Sequence, residues 1–258
     1  KMKKLVLLSA IISLVITSCS SDTDSKKENL ILPKTITYTY PPETEKAIEI
    51  GLVRYDGNKI NSIIGANKRT LFTYTDNLIT KQVVYEKDKQ GKEFKSKEAF
   101  YSYKNGKLDT KISHTSDALS PDWVFTHKTV YMHSSNELIS FVTYSINNDT
   151  KVETKTIEGT LNYENGNLVR RAGNIWSYVY EYDNKNNPLK NIVGLDLLLD
   201  DIREIGKNNV VKITNKPSPN STPAIFLRDY TYDDNNYPTK NTSYTNSGTI
   251  EFDIEYTY

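Results

Sequence analysis

Seven stretches of this chain repeat one design, and that design restricts the fold more than any other feature. Each joins an alternating aromatic or aliphatic pair to a turn rich in Asp, Asn and Gly, followed by an apolar residue. The copies are "VRYDGNKINSI" at Val53, "FTYTDNLITKQ" at Phe72, "YSYKNGKLDTK" at Tyr101, "TVYMHSSNELISF" at Thr129, "LNYENGNLVRR" at Leu161, "YEYDNKNNPLKN" at Tyr180 and "YTYDDNNYPTKN" at Tyr230. Their anchors are Tyr55, Tyr74, Tyr103, Tyr131, Tyr163, Tyr182 and Tyr232. Tyr-x-Tyr puts both rings on one face of a strand, because side chains alternate with period two. Asn-Gly, Asp-Gly and Asn-Asn supply the positive φ that tight hairpin turns require. Ile60, Leu108, Leu138, Leu168 and Leu189 then open the returning strand. Same-face sets continue outside the copies, at Tyr38/Tyr40, Tyr178/Tyr180/Tyr182 and Phe252/Ile254/Tyr256/Tyr258.

The chain therefore reads as all-β, a long antiparallel meander of β-hairpin repeats, twisted and rolled on itself. A β-sandwich and a small propeller are the alternatives. The anchor spacings of 19, 29, 28, 32, 19 and 50 residues are too irregular for a propeller. Tyr outnumbers Phe by 19 to 7, which suits strands with a half-wet surface. One segment breaks the pattern. In "NIVGLDLLLDDIREIG" (Asn191 to Gly206), Leu195, Leu198, Leu199 and Ile202 stand at helical spacing. This predicts one short helix near residue 195 that covers an end or face of the sheet, with a partner-binding helix as the alternative. "NKPSPNSTP" (Asn215 to Pro223) reads as a loop between strands, a connector or a contact surface.

The ordered set of units resembles the tyrosine–aspartate repeats of Rhs/YD-repeat proteins. It is more similar still to a family of uncharacterised Bacteroidota surface lipoproteins built from degenerate versions of that repeat. There, a segment like "NPLKNIVGLDLLL" precedes a strand like "NNVVKIT" and a late unit like "YTYDDNNYPTKNTSY". The match runs over most of residues 36 to 258. It departs in that only Tyr55, Tyr182 and Tyr232 are followed by Asp. No established activity comes with this family.

The first residues agree with an envelope address. Lys1, Lys3 and Lys4 precede "LVLLSAIISLVI", an apolar run too short to span about 30 Å of hydrocarbon and suited to a secretion signal. "ITSC" then resembles a bacterial lipobox, which implies cleavage before Cys19 and acylation of its thiol, the membrane being the partner through that anchor. Ser20 after the cysteine implies the outer membrane. Asp22 and Asp24 resemble an export signal to its exterior face. The expected organisation is a signal peptide at 1–18, a lipidated tether at 19–32 and a YD-repeat-like β domain at 33–258. Removing 18 residues from 258 takes away three lysines and moves the formal charge from +1 to −2. No clustered basic face marks a nucleic-acid site. Cys19 is the only cysteine, so no disulfide can form within the chain.

Catalytic signatures are missing. His114, His127 and His133 lack metal-site spacing, and no phosphate loop or nucleophile elbow occurs. Asp200/Asp201 and Asp233/Asp234 are adjacent in sequence, so neither pair faces itself across a substrate. The expectation is a monomer without cofactor, metal or catalytic set, binding a glycan or protein or scaffolding an envelope complex. Trp123 and Trp176 are the candidate binding residues, able to stack on a sugar, with core packing as the plainer role. A glycan-acting hydrolase, or an immunity or accessory protein paired with a toxin or transporter, are the alternative functions.

Overall fold

The computed structural model describes residues 30–44, 48–116, 124–201 and 205–258. The predicted signal peptide, Cys19, Trp123 and Ile202 lie outside the described residues. Among the described residues, sixteen strands follow one another. The first eight are β1 Thr35–Thr39, β2 Glu49–Asp56, β3 Lys59–Ile64, β4 Lys68–Thr75, β5 Leu78–Lys87, β6 Glu93–Lys104, β7 Lys107–Thr115 and β8 Phe125–His133. The rest are β9 Leu138–Ile146, β10 Glu153–Glu164, β11 Asn167–Gly173, β12 Ser177–Tyr182, β13 Val210–Lys216, β14 Ala224–Tyr232, β15 Pro238–Thr245 and β16 Ile250–Thr257.

Each strand pairs antiparallel with its sequence neighbours, and β1 also pairs with β16 to close a barrel. The closing register runs from Thr35 opposite Thr257 to Thr39 opposite Asp253. This overturns the open, rolled meander expected from the sequence. Period-two alternation is the same in an open and a closed sheet. Closure depends on a contact between the two ends of the chain, and it removes the two unpaired edges that a meander would expose.

Tight turns gather at one end of the barrel. Asn105–Gly106 and Asn165–Gly166 both have two positive φ angles, 52° with 74° and 52° with 81°, as type I′ hairpins demand. Just beyond these turns the returning strand carries one extra residue. Tyr74 faces Ile79 while Thr73 faces Lys81, leaving Thr80 over. Asn61, Asp109, Val169 and Thr239 are the equivalent bulged residues in other hairpins. The anchor tyrosine of several copies reaches sideways to a backbone carbonyl near this point: Tyr103 Oη donates to Ile79 O at 2.7 Å, Tyr182 Oη to Leu168 O at 2.7 Å and Tyr55 Oη to Pro33 O at 2.9 Å. Tyr230, the first aromatic of its copy, and Tyr258 of β16 make the same kind of bond, to Val210 O at 2.8 Å and Pro238 O at 2.9 Å. His133 takes the same place, its Nε2 donating to Leu108 O at 2.7 Å. The tyrosines thus tie successive hairpins together as well as filling the lumen. Burial holds their hydroxyls protonated: Tyr74 is pushed up to about 12, and Tyr55 and Tyr103 are raised as well.

The segment between β12 and β13 plugs the turn end. Ile192, Leu195, Leu198 and Ile205 are buried in one core with Val53, Ile60, Phe72, Ile79, Leu108 and Leu161 from the barrel wall. Val193 N donates to Asn58 O at 3.1 Å, Tyr74 Oη to Val193 O at 3.0 Å, and Asn191 Nδ2 to Ile31 O at 3.0 Å. Asp183 fastens one margin, accepting from Lys185 N and Asn209 N, each at 3.0 Å, and from Tyr232 Oη. Asn167 Oδ1 fastens another through Lys207 N at 2.8 Å and Asn208 N at 3.0 Å. The predicted helix near residue 195 is not formed. Asp196–Asp201 makes only 3-10 turns, broken where Leu199 takes φ 56° and ψ −125°. Gly194, at φ +73°, ends any regular approach to it, and so few residues cannot hold a helix by propensity. Leu195 and Leu198 are nevertheless buried, Leu198 at 0% exposure, and Leu199 is half-buried against the same core.

Candidate functional site

The other end of the barrel, opposite the plugged turn end, carries the connections β1–β2, β5–β6, β7–β8, β9–β10 and β13–β14. The proline-bearing stretch Asn215–Pro223 is at that end, the mouth, although its first two residues belong to β13. Below the mouth is a cavity of about 210 Å³, lined by Lys111 and Ser113 of β7, His127, Thr129 and Tyr131 of β8, Phe141 and Thr143 of β9, and Arg171 of β11. Its floor is apolar, because Tyr131 and Phe141 face each other across β8 and β9 and are buried. Thr129 and Thr143 are paired one register step higher, their hydroxyls 3.0 Å apart. Among the described lining residues there is no carboxylate. Two fixed cations, an imidazole and several hydroxyls make the wall a set of donors around an aromatic base.

Bulges put the polar residues there. Leu108 faces the core, and strict alternation would send Thr110, Ile112 and His114 inward after it. The extra residue at Asp109 reverses the phase, so Lys111 and Ser113 face the lumen while Ile112 and His114 face out. Val169 does the same for Arg171.

Two glycines shape the far wall. Gly159 faces Phe141 on one side and Gly173 on the other. A Cβ on Gly159 would stand 2.8 Å from Phe141 Cζ, and one on Gly173 would stand 2.6 Å from the Trp176 ring. The two rings lean into the space this leaves, and Arg171 lies over both, its Cζ 4.7 Å from the Trp176 centroid and 5.7 Å from that of Phe141. Such stacking fixes the guanidinium plane. Trp176 therefore braces a cavity residue and does not itself line the cavity. Tyr178 packs edge-on against it at 5.9 Å.

The sequence reading missed Lys111, His127 and Arg171. The phase of each strand was the one signal that could have found them, and the bulges scramble it. The other two histidines do lie elsewhere. His114 Nδ1 is 3.0 Å from Thr126 Oγ1 on the outer face, and His133 belongs to the aromatic ladder. A second hollow of about 80 Å³ lies against the plug, lined in part by Asn209, Arg228, Tyr230 and Asn241.

The outer face carries ion pairs between strand residues, among exposed apolar side chains that include Phe100, Met132, Val179 and Leu227. Glu98 pairs with Lys81 and with Lys95, each at 2.7 Å; Lys128 pairs with Glu153 at 3.0 Å; Lys212 with Glu181 at 2.7 Å; and Lys240 with Asp253 at 3.0 Å. These residues lie within strands and point opposite to the buried set, as the phase of Gln82 and Ala99 beside Lys81 and Glu98 shows.

The barrel is similar to a porin-like protein from Bacteroides vulgatus ATCC 8482, with TM-score 0.62 and 14% identity, covering 88% of this chain and 98% of that one. A porin-like protein from Bacteroides uniformis ATCC 8492 matches with TM-score 0.35 and 13% identity, covering 82% of this chain and 77% of that one. The first likeness shows a shared fold. No family model matches the sequence, and no curated protein does.

Proposed function

We propose that this chain is an outer-membrane lipoprotein whose barrel stands outside the bilayer and acts as a plugged, one-mouthed binding cup. The observation that carries this reading is the polarity of the wall. A barrel that crosses a membrane turns an apolar band outward and a polar lining inward. Here ion pairs stand among exposed apolar side chains such as Phe100, Met132, Val179 and Leu227 on the outer face, and an aromatic and aliphatic core packs with the plug inside the barrel. Each lysine facing lipid near the midplane would cost about 2–4 kcal/mol. The plug packs into one core with the barrel wall, which favours binding over conduction. The lipobox-like "ITSC" supplies the membrane attachment in this reading, with Cys19 as the acylated residue. Asp22 and Asp24 favour display on the exterior face. The ligand is a glycan or protein component small enough to enter the mouth.

The test has two arms. Radiolabelled palmitate should enter the protein and be lost in Cys19→Ala, whose barrel should then leave the membrane fraction without detergent. The purified protein should add no stepwise conductance to a planar bilayer. Regular conductance steps, or a Cys19→Ala barrel that still needs detergent, would refute the reading.

A further inference from the structure

We infer that the hollow against the plug, walled by β1 and β13 to β16, binds a small neutral polyol whose hydroxyls donate to Asn209 Oδ1 and Asn241 Oδ1. This hollow shares no lining residue with the mouth-side cavity and does not depend on how the barrel meets the membrane. Asn209 and Asn241 line it at 2% exposure each, and the side-chain oxygen of each has no hydrogen-bond partner. Their amide nitrogens are engaged, which fixes the orientation of both groups. Asn209 Nδ2 donates to Asp183 Oδ2 at 3.0 Å and to Asn186 O at 3.1 Å. Tyr230 Oη gives its proton to Val210 O at 2.8 Å, so its oxygen is the one that accepts from Asn241 Nδ2, at 3.4 Å. Among the described residues, Asn215 Oδ1 is the other buried side-chain acceptor in this condition, so all three lie on β15, on β13 or next to it. An acceptor buried without a donor costs stability, and native folds carry few of them. Two at one hollow mark a place where a donor from outside the chain completes the set.

The lining selects the kind of donor. No carboxylate is among its described lining residues to draw a cation, and two carbonyl oxygens repel an anion. A neutral donor remains. Part of the wall is apolar, with Ile36, Leu189, Val210 and Ile254 beside the asparagines. A buried water makes about two to four hydrogen bonds, and waters filling the hollow would lie against these aliphatic side chains without them. A short polyol turns its carbons to the aliphatic wall and its hydroxyls to the asparagines, so it uses both. The volume of about 80 Å³ equals that of about two or three waters at ~30 Å³ each. That suits a three-carbon polyol, or the hydroxymethyl arm of a sugar whose ring stays outside.

Saturation-transfer NMR titration of the full chain, in a detergent without a sugar head group, tests this with four probes. Glycerol is the free polyol, methyl glucoside the sugar arm, 1-propanol the analogue with a single hydroxyl and lactate the anionic one. The expected result is saturable binding of glycerol, with 1-propanol and lactate much weaker. Binding of methyl glucoside as well would identify a sugar as the source of the hydroxyls, and its failure a free polyol. Asn241→Leu should weaken glycerol by about fivefold or more, since one neutral hydrogen bond is lost. It should melt no lower than the parent, because a buried acceptor without a donor goes with it. Lys95→Met, on the outer face, should bind as the parent does. A crystal structure of the parent with glycerol should place one molecule in the hollow, with hydroxyls in hydrogen-bond reach of Asn209 Oδ1 and Asn241 Oδ1, and this decides the matter even if Asn241→Leu does not fold. The inference is overturned if glycerol does not saturate, if 1-propanol or lactate binds as well as glycerol, if folded Asn241→Leu keeps the parent affinity, or if ordered waters alone fill the hollow in those crystals.

Discussion

The seat of the plug can be tested at Gly194. Its backbone crosses the Asn77 turn so closely that a Cβ would lie 2.5 Å from Asn77 O, and its φ is +73°. Gly194→Ala therefore meets two penalties. The left-handed backbone costs an L-residue about 1–2 kcal/mol. The overlap is with main chain, so plug and turn must separate by about 0.9 Å to reach the 3.4 Å of ordinary contact. Overpacking of that kind costs about 1–3 kcal/mol more. Gly57→Ala is the control, because Gly57 has φ +60° and nothing within 4 Å of its added Cβ. Both substitutions remove a glycine from the unfolded chain, so that contribution cancels in the comparison. Urea unfolding should show Gly194→Ala less stable than Gly57→Ala by about 1–3 kcal/mol, worth roughly 2–4 °C of melting temperature per kcal/mol in a domain of this size. Limited proteolysis of folded Gly194→Ala should cut first within residues 183–209. Equal melting of the two variants would refute the close approach, and with it the idea that the plug is locked to the turns.

Other outcomes follow from the same structure. Leu198→Ala should cost about 2–5 kcal/mol in urea unfolding, since it hollows the fully buried centre of the plug; a cost below about 1 kcal/mol would place that leucine outside the core. Tyr103→Phe should cost about 0.5–1.5 kcal/mol by deleting the hydroxyl on Ile79 O, and an unchanged unfolding midpoint would deny the ladder a stabilising role. Stability should also fall in alkali. Tyr74 rises from 10.0 unfolded to about 12 folded, and Tyr55, Tyr103, Tyr232 and Tyr258 shift the same way. A raised folded value means that the contribution is complete below pH 10 and is lost as pH climbs toward 12. Thermal melts at about pH 9 and about pH 11 should therefore differ, the latter being lower.

The hairpins were legible because local chemistry makes them. Asn105–Gly106 and Asn165–Gly166 can do little else between two Tyr-bearing strands. What could not be read was the joining of Thr35–Thr39 to Ile250–Thr257, since nothing in either strand names its partner. The stripe at Leu195 and Leu198 was correctly seen as apolar, but its periodicity suited a helix while the surrounding barrel imposed a tight plug. The plug did leave one trace. Tyr182 and Tyr232 are 50 residues apart, the widest spacing of the series, and the excess is the inserted segment. Cavity residues left none, because their orientation depends on bulges that hydrophobic pattern does not report.

Those bulges also explain how one repeat can build both a core and a site. Between the turn and the bulge, residues such as Leu108 and Leu168 point inward and pack on the plug. Beyond the bulge the phase reverses, so that in "LDTKIS" the lysine turns in and the isoleucine turns out. The lumen is consequently divided by depth, apolar at the plug and basic toward the mouth. An unbulged strand would have carried the apolar face along its whole length and left Lys111 and Arg171 in solvent. Ile112 on the outer face is the corresponding cost, set among Lys128 and Phe100 as its strand neighbours. The bulges thus place cations at matching depths on β7 and β11 and set the mouth-side cavity apart from the apolar core around the plug.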